Sequence, residues 1–336
     1  MGWFGPGILV DDPAVVIQGS RISYAGRAFG ANEGDREITG DWFLMPGVVD
    51  RHVHIGLSDP RLVVRGGVTV VRDLGWPAQD IFALADISAG TDFDGPEIGA
   101  AGPIITARRG YPSRAGWAPE GTALEVRGAK AAAAAAARLA DEDAVAIKIA
   151  LASDAGPTLS DQELVAVCQA AHDRGLPVVA HVQGRGQTER AVGAGVDELA
   201  HCPWSERIGE RLVRGMAERV RMVSTLDIHA HAPRTRALDI ALDNLRRFVK
   251  AGGRVAYGTD LGNGPIPPGI HVGEATLLAS AGLSPDRILD AMTAWRLEEG
   301  ARADVIGLEG NPLEDLSALD RVRVVIRGGQ IRHLVG

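Results

Sequence analysis

Residues 46–56 read PGVVDRHVHIG, an apolar run that ends on two histidines, His52 and His54. Side chains alternate along a strand, so these imidazoles share one face, where two of them can chelate one cation. On its own an HxH also fits polar loop histidines, and its place at the end of an apolar strand is what favours ligands. Working outward, seven more short apolar runs follow: VTVVRDLG (68–75), EIGAAGPIIT (97–106), AVAIKIAL (144–151), LPVVAHV (176–182), VDELAHC (196–202), RMVSTLDIH (221–229) and RVAYGTD (254–260). Polar or Ala-rich segments separate them, which is how buried parallel strands and their covering helices read. Eight such runs predict an α/β fold, a (β/α)8 TIM barrel over residues 46–302.

The covering helices are expected at 77–90, in the Ala-rich stretch 123–140, at 160–175 with Ser160 as N-cap and Glu163 three residues on, and at 235–253. Both chain ends have another character. Short β-like runs broken by Gly, Asp and Pro fill residues 7–44, and VRVVIRGGQIRHLV closes the chain. Segments 1–45 and 303–336 are therefore expected to meet in one small β-sandwich domain.

In a barrel of this kind the C-terminal strand ends share one mouth, where active sites form. Five of the eight predicted strands carry chemistry there. The fourth holds Lys148 among apolar neighbours; it is one of only three lysines, and a lone buried ammonium is costly. Such a lysine is either paired with a carboxylate or carboxylated by CO2, the carbamate oxygens then bridging two cations. The fifth strand ends at His181, the sixth at His201 and the eighth at Asp260, which can both coordinate a metal and act as a base. Taken alone, each of these histidines is more often a satisfied core residue than a ligand.

Composition bounds the partners. Apolar residues make up 46% of the 336, the net charge is −8, and no Lys/Arg cluster is longer than a pair, which argues against nucleic acid. Gly, Asp or Arg interrupts every hydrophobic stretch, so no membrane helix is expected. Two cysteines are too few to staple the fold, and Met1-Gly2-Trp3-Phe4 lacks the pattern of a signal peptide, so a cytoplasmic protein is expected, with a small-molecule substrate and a homo-oligomer among the assemblies allowed.

With these residues in view, the sequence resembles the amidohydrolase superfamily, and within it imidazolonepropionase and the Xaa-Pro or Xaa-Arg dipeptidase-like metal hydrolases. The resemblance runs through PGVVDRHVH, GGVTVVRDLG, AIKIA, VVAHV, ELAHC and YGTD to GARADVIGLEGNPLEDL and VVIRGGQI. It implies two divalent ions, expected to be zinc: His52, His54 and Asp260 on the more buried one, His181 and His201 on the second, and carboxylated Lys148 between them. It implies cleavage of an amide C–N bond, peptide-like or cyclic, by a hydroxide bridging the ions, with Asp260 as catalytic proton shuttle. Between two ions the pKa of water falls from about 15.7 to about 7.

The loop after the third strand (106–117) carries Arg109 and Tyr111, expected to grip a carboxylate or a planar ring of the substrate; the Gly-Gly-His of related dipeptidases is absent. A second HxH, His229 and His231, follows the seventh strand, and His231 is the expected substrate contact. Arg234 and Arg236 are possible anion contacts, His271 a residue that closes the site or merely a turn, and Arg72 with Asp73 an orienting ion pair. Trp295–Glu299 replaces the usual family continuation, which predicts a shortened last helix. Three rivals stand beside the amide hydrolase. A mononuclear deaminase of a nucleobase-like amine is disfavoured by Gly184, where those enzymes place Glu, and by Lys148. A lactone or ester hydrolase uses the same hydroxide. A catalytically inactive binding barrel is opposed by the full ligand set.

Overall fold

The computed structural model describes residues 1–30, 36–230 and 236–335. The first three central strands, Val48–Val53, Val68–Asp73 and Glu97–Ala100, form a parallel sheet in sequence order. The fourth to eighth, Ile147–Ala152, Val178–Gln183, Glu198–Leu199, Arg221–Val223 and Arg254–Ala256, belong to a seven-stranded parallel sheet. Its other two strands are Ile104–Ala107 and Ala123–Val126.

Backbone hydrogen bonds run between the sheets at both edges. Val145 N donates to Ala100 O (2.9 Å) on one side; on the other, Arg51 N donates to Tyr257 O (3.1 Å), Asp260 N to His52 O (2.8 Å) and His54 N to Leu261 O (2.7 Å). With helices between successive strands, the α/β arrangement is TIM-barrel-like.

Two expectations are corrected. The run EIGAAGPIIT is not one strand: Gly102, at φ +71°, turns the chain before Pro103, which has no N–H to continue a ladder. The Ala-rich helix spans only Ala129–Asp141, because Ala123–Val126 pairs as a strand and Gly128, at φ +87°, separates the two. The helix Asp161–His172 starts as read, with Ser160 and Glu163 closing a reciprocal capping box. The last helix is short, Pro285–Met292; beyond it Leu297 N donates to Phe4 O.

The chain ends do meet. Strands Gly2–Gly5, Ile8–Val10 and Phe43–Pro46 share a six-stranded sheet with Val305–Leu308, Val322–Arg327 and Gln330–Leu334. A separate hairpin, Pro13–Gln18 with Arg21–Arg27, joins it through a small core of Phe4, Ile22, Leu297, Ala303 and Val305. In the central unit, Leu74, Ala101, Ala146, Val179 and Ala200 make a compact cluster of their own. Ala146 and Val179 precede Lys148 and His181 by two residues and so share their face, which sets the site directly above a layer of small side chains. Among the described residues, no helix is long and apolar enough to cross a membrane.

Candidate active site

All six residues singled out as ligands line one pocket of about 270 Å3: His52, His54, Lys148, His181, His201 and Asp260. All are buried. Asp260 Oδ1 lies 3.4 Å from His52 Nε2 and 3.3 Å from His54 Nε2, and one ligand atom from each of the three falls within 4.8 Å of the others. On the other side of the pocket, His181 Nδ1 and His201 Nε2 face each other at 3.0 Å.

The rings are held from behind. His52 Nδ1 is 2.8 Å from Ala200 O and His54 Nδ1 is 3.1 Å from Gly75 O, so each Nδ1–H donates to a carbonyl and each Nε2 turns its lone pair to the pocket. His201 Nδ1 is tied to Thr225 Oγ1 at 2.8 Å. Thr225 and Asp260 both sit at positive φ, +43° and +60°, in a region that a β-branched residue rarely enters. Such strain gathers at sites where the surroundings over-determine the chain.

Several supports were not foreseen. Asp50 accepts from His52 N and Thr259 N, each at 3.1 Å, and from Thr259 Oγ1 at 2.5 Å, joining the ends of the first and eighth strands. Burial pushes its carboxyl up to about 7. Asn263 Nδ2 donates to Asp260 Oδ1 at 3.1 Å. Arg72 and Asp73 do not pair with each other, because neighbours on a strand face opposite sides. Asp73 accepts from Ile55 N and Gly75 N, whereas Arg72 reaches Glu198 at 2.5 Å. Glu198 also binds Arg221 at 2.5 Å; although burial opposes its charge, these guanidiniums hold its carboxyl down to about 2.

Electrostatics favour uncharged bases around one carboxylate. Burial, then the charge of Lys148, pushes the His52 imidazolium well below its ordinary value and His181 down to about 3. Burial brings the Lys148 ammonium down to about 7. Burial works against the Asp260 carboxylate as well, yet His52, His54 and Asn263 hold its carboxyl below the usual range. Neutral imidazoles, a carboxylate and a lysine able to lose its proton are the states in which these groups bind cations. Among the described residues, Lys148 Nζ and His181 Nε2 are buried without a hydrogen-bond partner. Unpaired buried donors and acceptors of this kind call for a ligand. The donor set thus fits divalent metal.

The rest of the wall is aromatic and apolar: Tyr111, Trp117, Trp204, Ile104 and Ile228, with Gln183, His229 and Asn263. Tyr111 is therefore placed as expected. Arg109 is not: it is exposed, and the turn it makes at φ +63° presents Tyr111 to the pocket instead. The arginine-lined mouth expected for a carboxylate is replaced, among the described residues, by aromatic rings. His231 and Arg234 lie outside the described residues; His229, read as the lesser member of its pair, lines the pocket. His271 lies 2.6 Å from Asp227 at the start of the helix Val272–Ser280, off the pocket wall. Cys202, next to His201, is a free thiol buried in the core.

The sequence pattern of the amidohydrolase family matches residues 43–332, nearly the whole chain. The protein belongs to the amidohydrolase family. A crystal structure of a Xaa-Pro dipeptidase with bound methionine superposes with a TM-score of 0.80 at 24% identity, covering 94% of each chain. The crystal structure of Aspergillus niger ochratoxinase gives 0.77 at 22% identity, over 98% of this chain and 94% of that one. At these identities the likeness speaks for the fold. In sequence, the amidohydrolase is 27% identical to ochratoxinase of A. niger over 200 residues; the match takes in 51% of this chain and 41% of that protein.

Proposed function

We propose that this protein is a metal-dependent hydrolase that cleaves an amide C–N bond in a small molecule. The observation that carries the reading is the meeting of four histidines, Lys148 and Asp260 in one pocket, with ring nitrogens anchored from behind. His52, His54 and Asp260 would hold one cation, expected to be zinc, and His181 with His201 a second. Carboxylated Lys148 would stand between them and give its orphaned nitrogen a chemical reason. Two such ions would bring water toward its hydroxide form near neutral pH and polarise a carbonyl.

The protein's own groups supply the rest. Asp260 accepts a proton from the attacking water as the C–O bond forms, and delivers it to the leaving nitrogen as the C–N bond breaks. Asn263 holds the Asp260 carboxylate in place. The Tyr111 hydroxyl accepts a hydrogen bond from Trp117 Nε1 at 3.0 Å, which leaves its own proton for the substrate carbonyl. Burial and the charge of Asp260 push the phenol up to about 12, so it stays a donor across the working pH range.

The chain-level reading is a (β/α)8 barrel over 46–302 with 1–45 and 303–336 as an appended β domain, supported by the hydrogen bonds between sheet edges. The Xaa-Pro dipeptidase and ochratoxinase likenesses agree with amide chemistry. A deaminase is disfavoured sterically: a Cβ at Gly184 would lie 1.9 Å from Ser153 Oγ, with φ at +99°, so a Glu there has no room. The test is chelation followed by zinc restoration, assayed across dipeptides, N-acyl amino acids, lactams and simple amides. Activity lost on chelation and regained on restoration supports the proposal. Metal-independent turnover, or none with two equivalents bound, would sink it.

A further inference from the structure

We infer that the scissile bond of the substrate carries a planar aromatic arm: the substrate class is aryl amides, either aroyl amides or anilides. This rests on the hydrolase reading above. The argument starts from where the aromatic residues stand. They are only 4% of the sequence, six Trp, three Tyr and six Phe in 336 residues, yet two tryptophans and a tyrosine rim this one pocket.

They come from two separate loops. Tyr111 and Trp117 follow the strand Ile104–Ala107, and Trp204 follows the sixth strand. Tyr111 stacks on His181 (centroids 4.8 Å apart, planes at 24°), Trp117 tilts over His54 (4.3 Å), and Trp204 stands edge-on to His201 (5.3 Å). A carbonyl placed over the histidine cluster would therefore sit in a pocket that these three rings help to line. The rings are half-buried, not sealed in the core. The Trp117–Tyr111 hydrogen bond fixes two of them beforehand, which lowers the ordering cost of stacking. Aromatic pairs prefer offset or edge-to-face contact, a geometry these differently inclined planes offer to a flat ring.

The experiment uses the metal-loaded protein with N-methylbenzamide, acetanilide, N-methylacetamide and N-acetylalanine. An aryl amide is expected to exceed both others in kcat/KM by at least about tenfold. Intrinsic reactivity is controlled by variants: Trp204→Ala collapses the aryl-to-alkyl ratio, and Trp204→Phe retains most of it. Turnover with a ratio near one, a ratio unmoved in Trp204→Ala, or N-acetylalanine as the fastest substrate would overturn the inference while leaving the hydrolase reading intact. If none of these four amides is turned over, the hydrolase reading is judged on its own wider panel and binding decides the inference. Calorimetric titration should then show benzamide binding at least about tenfold tighter than acetamide, and equal binding would overturn it.

Discussion

Glu198→Gln is the most quantitative perturbation the structure offers. Glu198 is 2% exposed on its side chain and binds two guanidiniums, Arg72 and Arg221, each at 2.5 Å, with Arg51 nearby adding a third positive charge. Its carboxyl is held at about 2 in the fold against an ordinary value of 4.5. A depressed folded-state value stabilises above the unfolded one, so the contribution is complete above pH 4.5 and is lost as pH falls through about 2. At about 1.36 kcal/mol per pH unit this amounts to about 3 kcal/mol at pH 7 and less than half of that at pH 3. Replacing the carboxylate by an amide also leaves the buried Arg72 without its counter-charge, a change of the same order. Urea denaturation of both proteins at each pH reads the difference directly. A loss below about 1 kcal/mol at pH 7, or one that does not shrink at pH 3, would refute the reasoning.

Lys148→Met should lower bound metal below two equivalents per chain, measured by elemental analysis after dialysis; two retained equivalents would remove the lysine from the ligand set. Asp260→Asn should reduce turnover by about 10²–10⁴-fold with the far-ultraviolet circular dichroism unchanged, as loss of a proton shuttle does. Tyr111→Phe should cut kcat by about 10–100-fold with little change in KM, the mark of a hydrogen bond that strengthens in the transition state; a change in KM alone would make Tyr111 a binding contact only.

The proposed ligands were legible because the histidines and Asp260 fall in or just after short apolar strands, where strand periodicity fixes which way a side chain faces. Lys148 stood out because burial among Ile147, Ile149 and Ala150 leaves an ammonium few explanations. Periodicity fails where the chain turns without losing apolar character. Gly102–Pro103 breaks one apolar run into two strands, and Ala123–Val126 is hidden at the head of an alanine run whose helix propensity is real only after Gly128. Loop contacts were the least legible. Arg109 and Tyr111 are two residues apart in one loop, yet only the backbone turn decides that the ring goes in and the guanidinium out. Trp204 and Asn263, three residues beyond His201 and Asp260, carry no pattern in sequence that distinguishes them from ordinary loop residues.

The stitch between Asp50 and Thr259 spans 209 residues of chain. During synthesis, the strand bearing His52 and His54 has no eighth strand to bond with until those 209 residues have been made. The three donors proposed for the first cation, His52, His54 and Asp260, therefore come together only after the eighth strand has been made, and a cation would load no earlier than that. A cation bound there would act as a clasp between the first and eighth strands of the central unit, two segments that the chain itself joins through backbone and side-chain hydrogen bonds.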